Sequence, residues 1–225
     1  MEFSVSQDVL DVGVRIRGVF IQDIEQNTEY SKELNEYIDA KIQSLLTNTT
    51  REGIKEDSII QGFYELHQRV NVPRRKNPPA SENLLLTLVK KQSLFHINPI
   101  VDIYNLISME SKLALGAHDI DRADGNIHLR LTDGSETFIP LGQQVNKGVA
   151  KGVYSYIDDS NEVLCYLEIR QVDKTKITND SQNIFYIVQG NQNTSQEYID
   201  KIAQEIINVT THFCGGKGIL LEHLI

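Results

Sequence analysis

Asn98, Asp102, Asn105 and Met109 advance by four, three and four residues, so on a helix their side chains share one stripe. Asn98 followed by Pro99 starts such a helix, because an Asn side chain accepts from the first free backbone N–H groups and proline presets φ where no donor is needed. The intervening residues Ile100, Val101, Ile103, Tyr104, Leu106 and Ile107 are apolar around most of the circumference. An Asp and an Asn on so apolar a helix either form its exposed edge or line a polar pocket. Gly116 and the "HDID" run, with His118, Asp119 and Asp121, return the chain toward that helix and favour the pocket.

A second group lies in "EIRQVDKTKITNDSQN", residues 168 to 183. Leu164, Tyr166, Glu168 and Arg170 alternate as one strand face, which would deliver the Arg170 guanidinium at the end of a rigid element. Beyond Gln171 the loop carries Asp173, Lys174, Thr175, Lys176 and Thr178. A polar loop of about a dozen residues between two buried strands either binds something or is a plain surface excursion. These residue types suit a substrate with a cationic amine and anionic phosphates.

The elements that must position these groups are legible in outline. "VGVRIRGVFI" alternates and reads as a strand over residues 12 to 21. Amphipathic helices are expected over 28 to 46, through Leu34, Ile38, Ile42 and Leu45, and over 52 to 70, through Ile59, Phe63, Leu66 and Val70. After "NVPRRKNPPASEN", Ser81 is expected to cap a short helix through Lys90. Beyond the Asn98 helix, "NIHLRLTDG", "SETFIPLG", "GVYSYIDDSNEVLCYLEIR" and "NIFYIVQG" are short, β-branched or aromatic, and divided by turn residues. They indicate a β-sandwich or strongly curved sheet. A last helix over 195 to 213 is closed by Gly215 and Gly216. The fold class is therefore α+β, with packed helices around a curved sandwich-like core.

A chain of 225 residues, two-fifths of them hydrophobic, can bury a substantial core. It has no apolar run long enough to span a membrane and no signal-like N-terminus, so a soluble cytoplasmic protein is expected. G-x-S-x-G, phosphate-loop, G-x-G-x-x-G and H-E-x-x-H motifs are missing, and the six histidines show no zinc spacing. Neither a metal nor a cofactor is expected. Cys165 and Cys214 read as structural thiols. The net charge of −9 argues against a protein coated in nucleic acid, but it is uneven. Six basic residues face thirteen acidic ones up to Glu65, whereas from Leu66 to Gln92 six basic residues face only Glu82. Arg74, Arg75 and Lys76 are the candidate phosphate-facing edge, against the plainer reading of solvated surface.

"NPIVDIYNLISMESKLALGAHDIDRADGNIHLRL" resembles the opening of the B3/B4 domain, the tRNA-editing domain of the bacterial phenylalanyl-tRNA synthetase β subunit. Val101, Asp102, Ile103 and Asn105 match that family's V-V-D-V-T-N helix, and Asp119 and Asp121 match the aspartates of its H-A-F-D-L-D strand. Thr175, Thr178, Ser181, Asn183 and Ile184 match its S-E-V-T-x-x-T-x-N-V-L segment. Over a longer span, through "RQVDKTKIT" to "CGGK", the chain is similar to stand-alone B3/B4 proteins. The departures fall on the pocket. Gly116 stands where the family has a histidine, His118 where it has an aromatic, Arg170 and Gln171 at its M-G-G turn, and Ile187 where a glutamate reads a tyrosine hydroxyl.

The resemblance implies a trans-acting hydrolase that deacylates a misaminoacylated tRNA, with the aminoacylated 3′ end as partner. Asn105, His118, Asp119 and Arg170 are the implied catalytic residues, and Asp102, Gly116, Gln171, Asp173, Lys174 and Thr175 the implied substrate-binding ones. A non-catalytic module that binds tRNA or an amino acid is the alternative. Residues 1–80 are expected to form a strand-plus-helices appendage and 81–225 the editing-type domain. The edited amino acid and the oligomeric state stay open.

Overall fold

Strand β8 (Ile184–Gly190) is buried along its whole length, and its side chains alternate between two cores. Tyr186 and Val188 face a layer of helices, while Phe185 and Ile187 face a second sheet. Three layers, helices, sheet and sheet, follow from that double burial. In the computed structural model, which describes residues 1–25, 30–222 and 224, the central sheet pairs β3 (Ala114–Asp119), β8, β2 (Arg15–Gln22) and β9 (Lys217–Leu221) in that order, all antiparallel. The second sheet runs β1 (Phe3–Val5), β4 (Ile127–Leu131), β5 (Tyr154–Asp158), β6 (Val163–Tyr166) and β7 (Arg170–Gln171), with β1 parallel to β4. Gly18 lies where the sheets meet: a Cβ there would stand 2.9 Å from the Phe185 ring and 3.0 Å from that of Phe3.

Seven α-helices occur among the described residues: α1 (Gln7–Val12), α2 (Lys32–Asn48), α3 (Arg51–Glu56), α4 (Ser58–Arg69), α5 (Ala80–Lys91), α6 (Pro99–Ser111) and α7 (Gln196–Cys214). The mixed α+β class and the two-sheet core match the sequence reading. Other expectations need correction. The helix expected over 52 to 70 is broken, because Asp57 is extended and its carboxylate caps α4 by accepting from the N–H groups of Ile59 and Ile60. Ser81 does not cap α5; its hydroxyl donates to the Lys112 carbonyl and ties α5 to the end of α6. "SETFIPLG" forms only isolated bridges, Thr137 with Glu162 and Pro140 with Val172. The start expected for α2 at residue 28 lies outside the described residues.

The division at residue 80 does not follow a break in either sheet. β1 and β2 are edge and interior strands of the two sheets, while α2 packs against α6 and α3 against α5.

Helix α6 is capped as its sequence suggests, with Asn98 Oδ1 accepting from the Val101 N–H at 2.9 Å. It is buried on nearly every side, which raises the question of its acid. Asp102 is fully buried and its carboxylate is filled: Oδ1 accepts from the Ile97 N–H, and Oδ2 meets the Tyr30 hydroxyl at 2.7 Å and His96 Nδ1 at 2.6 Å. The residue is thus a clasp that fastens Tyr30 and the segment before α6. Asp102→Ala should cost about 1–3 kcal/mol, because it strips the acceptor from three donors. Urea unfolding measures it, and an unchanged midpoint would remove this role.

Candidate functional site

A cavity of about 440 Å³ opens where α6, β3, the β6–β7 hairpin and the segment leading into α5 converge. Asn105 and Tyr104 enter it from α6, Leu115 and Gly116 from β3, and Glu168, Ile169, Arg170 and Gln171 from the hairpin. Lys76 and Asn83 stand on the remaining side. Asn105, Gly116, Arg170 and Gln171 are thereby brought together from three elements.

The hairpin places Arg170 differently from the sequence reading. The strand does not continue to Arg170; β6 ends at Tyr166, Leu167 turns left-handed with φ of 54°, and β7 folds back so that Tyr166 pairs with Arg170 and Cys165 with Gln171. Left-handed leucine is uncommon without an external hold. Here Leu167 is itself buried, and its N–H donates to the Tyr154 carbonyl at 3.2 Å. Among the described residues Glu168 makes no ion pair with Arg170, since its carboxylate is engaged by His67 and Tyr154. Among the described residues neither the Arg170 guanidinium nor the Asn105 amide has a hydrogen-bond partner, so both are available to a ligand.

Gly116 gives the cavity its width. A Cβ built there meets nothing within 4 Å, so any side chain at this position would extend into open space. Its ladder partner Ile187 is buried in the core between the sheets. Gln171 is half-buried and donates to the Ala117 carbonyl, which holds β7 against β3. Cys165 lines the same wall, and burial pushes its thiol well above the ordinary range, so it is no thiolate nucleophile.

Asp102, His118, Asp119, Asp173, Lys174 and Thr175 do not line the cavity. His118 is buried, with Nδ1 2.7 Å from the Thr175 hydroxyl, and burial lowers its pKa to about 3; it is a neutral link between β3 and the loop. Thr175 is fixed by that contact and by accepting from the Asp119 N–H. Asp119 accepts from Ser181 and from the Asp121 N–H and pairs with Arg122 at 3.3 Å. Lys174 is held by Asp124 at 2.7 Å, Glu162 at 3.0 Å and Asp158 at 3.4 Å. Although burial opposes its charge, these carboxylates raise its pKa overall. Asp173 pairs with Lys176 at 3.2 Å. This part of the loop is therefore a polar clasp across the second sheet, as Asp102 is at α6.

Arg74, Arg75 and Lys76 form one short 3₁₀ turn. Arg74 stacks on the Tyr64 ring at 3.9 Å, Arg75 is exposed, and Lys76 borders the cavity. A second cavity, of about 300 Å³, lies on the other side of Arg170, with Tyr166, Phe138 and Lys147 among its walls. The sequence reading missed Glu168 and Lys76 as cavity residues. For Glu168 no signal existed, because the left-handed turn at Leu167 carries no Gly, Asn or Pro. Among the described residues no group of His, Cys, Asp and Glu could hold a metal ion, and no helix is long and apolar enough to cross a membrane.

The fold agrees with that of a solved structure. A crystal structure of an N-terminal fragment of the phenylalanyl-tRNA synthetase β subunit from Pyrococcus horikoshii superimposes on 96% of this chain with a TM-score of 0.50. Sequence identity is 14%, so the likeness concerns the fold, and the chain spans about half of that fragment, 50% of its length. No curated protein matches the sequence. The B3/4 domain family model matches residues 70–206, more than half of the chain, a span that includes every residue lining the cavity shared by Asn105 and Arg170. The chain belongs to the B3/4 domain family.

Proposed function

We propose that the protein hydrolyses the ester bond of a misaminoacylated tRNA, binding the aminoacyl group in the cavity between Asn105 and Arg170. The observation that carries this reading is the pair of polar groups without partners among the described residues, an amide and a guanidinium, brought by two elements to one cavity beside an unobstructed Gly116. An aminoacyl ester is already activated, so a positioned water and a stabilised oxyanion suffice, without a strong nucleophile. The Asn105 amide positions the water. Water adds to the carbonyl carbon, Arg170 holds the developing oxyanion or the neighbouring phosphate, and the ribose oxygen leaves with a proton as free amino acid forms. The second cavity across Arg170, with Tyr166 and Phe138 in its walls and Lys147 beside them, accommodates the terminal nucleoside. Incubation with a panel of mischarged tRNAs tests the reading: at least one should lose its ester faster than in buffer, and uniform failure would sink it.

The changed family positions, Gly116 and Ile187, favour the non-catalytic alternative, in which the same cavity only holds tRNA or an amino acid. A salt titration separates the two ligands, because binding through phosphates weakens steeply with salt. The basic turn supplies a further prediction. Arg75→Glu with Lys76→Glu should weaken tRNA association severalfold at low salt and change stability by no more than about 0.5 kcal/mol each. Arg74 is left out because its stacking on Tyr64 is structural. Unchanged affinity would assign the run to ordinary solvated surface.

A further inference from the structure

We infer that Glu168 forms an ammonium subsite in the cavity wall, selecting ligands whose α-amino group is free and cationic. The inference rests on the proposed aminoacyl site and names the chemical group read there. Glu168 lines the cavity, yet only 2% of its side chain is exposed. Its Oε1 lies 2.6 Å from His67 Nε2, and its Oε2 accepts from the Tyr154 hydroxyl at 2.6 Å. His67 is fully buried and its Nδ1 has no partner among the described residues. With Nδ1 unpartnered, Nε2 is the ring nitrogen that donates to Glu168. Burial, reinforced by the charge of Glu168, raises the Tyr154 pKa, which keeps that hydroxyl a donor.

Glu168 therefore sits between two donors, His67 and Tyr154. Two of a carboxylate's roughly four acceptor directions are used, which leaves capacity for another donor. No Lys or Arg ion pair is made with it among the described residues, although Arg170 is two residues away and Lys76 borders the same cavity. A buried carboxylate with no Lys or Arg partner among the described residues is stabilised by a cation that reaches the adjacent cavity. The cationic groups of the cavity, Lys76 and Arg170, suit the opposite end of the ligand. Glu168 and Arg170 come from the same hairpin and Lys76 from another segment, so a carboxylate and two cations border one cavity, which fits an ammonium next to a carbonyl or phosphate.

Titration of the full chain with a panel of α-amino acid amides and their N-acetyl counterparts, by calorimetry, tests the subsite. At least one amide should bind at least tenfold more tightly than its acetylated form. Glu168→Gln should erase that difference, while Tyr154→Phe, which keeps the carboxylate, should retain it. A merely structural cluster would weaken amide and acetylated ligand alike in both variants. Equal binding of the two ligand forms to the wild type, an undiminished preference in Glu168→Gln, or no binding of any amide would each overturn the inference. Amide selectivity without deacylation of any tRNA would overturn the enzymatic reading and leave the subsite standing. Deacylation that accepts N-acetylated esters equally well would do the reverse.

Discussion

Arg170→Ala is expected to lower deacylation by about 10²–10³-fold, the usual effect of removing one donor aimed at a developing oxyanion. Stability should change by no more than about 0.5 kcal/mol, because the guanidinium has no internal partner to lose among the described residues. Arg170→Lys should fail as well, since an ammonium cannot reproduce a planar fork that grips two oxygens at once. The hairpin backbone, pinned through Leu167 and Gln171, keeps its course in both variants. Single-turnover rates alongside thermal melts measure the two quantities separately. Activity retained in both variants would place the chemistry elsewhere in the molecule.

Gly116→Phe is the second large effect. The Cβ position is open in every direction within 4 Å, so the ring enters the cavity without displacing the core. Ligand binding and deacylation should fall beyond about 100-fold, since even one methylene in a shaped pocket shifts discrimination by roughly 10–200-fold. Gly116→Ala should stay near wild type in stability. A Phe variant that still binds and turns over would show that the aminoacyl group does not use this cavity.

How much of this was legible in the sequence depends on whether the signal is local. The cap at Asn98, the apolar faces of α2, α6 and α7, and the β-rich second half follow from neighbours in the chain. The short strands β1 and β9 pair at long range and carry little pattern of their own, so the weaving of both termini into the sheets was hidden. The carboxylate Asp102 and the charged run at Asp173 and Lys174 looked like ligand groups. Their partners Tyr30, His96, Asp124 and Glu162 lie far apart in sequence, or in loops without periodicity. Asn105 and Arg170 could be singled out because an amide on an apolar helix and an arginine among buried strand residues are each unusual. Glu168 could not, because its approach to His67 needs a turn at Leu167 that no turn residue announces.

The most direct measurement is the structure of the protein bound to a non-hydrolysable aminoacyl-adenosine in which an amide replaces the ester. The aminoacyl group should lie between Asn105 and Arg170 against Gly116, with the nucleoside across Arg170 in the cavity bordered by Tyr166 and Lys147. An analogue bound outside these two cavities, or with its carbonyl out of reach of both Asn105 and Arg170, would contradict the assignment of the site.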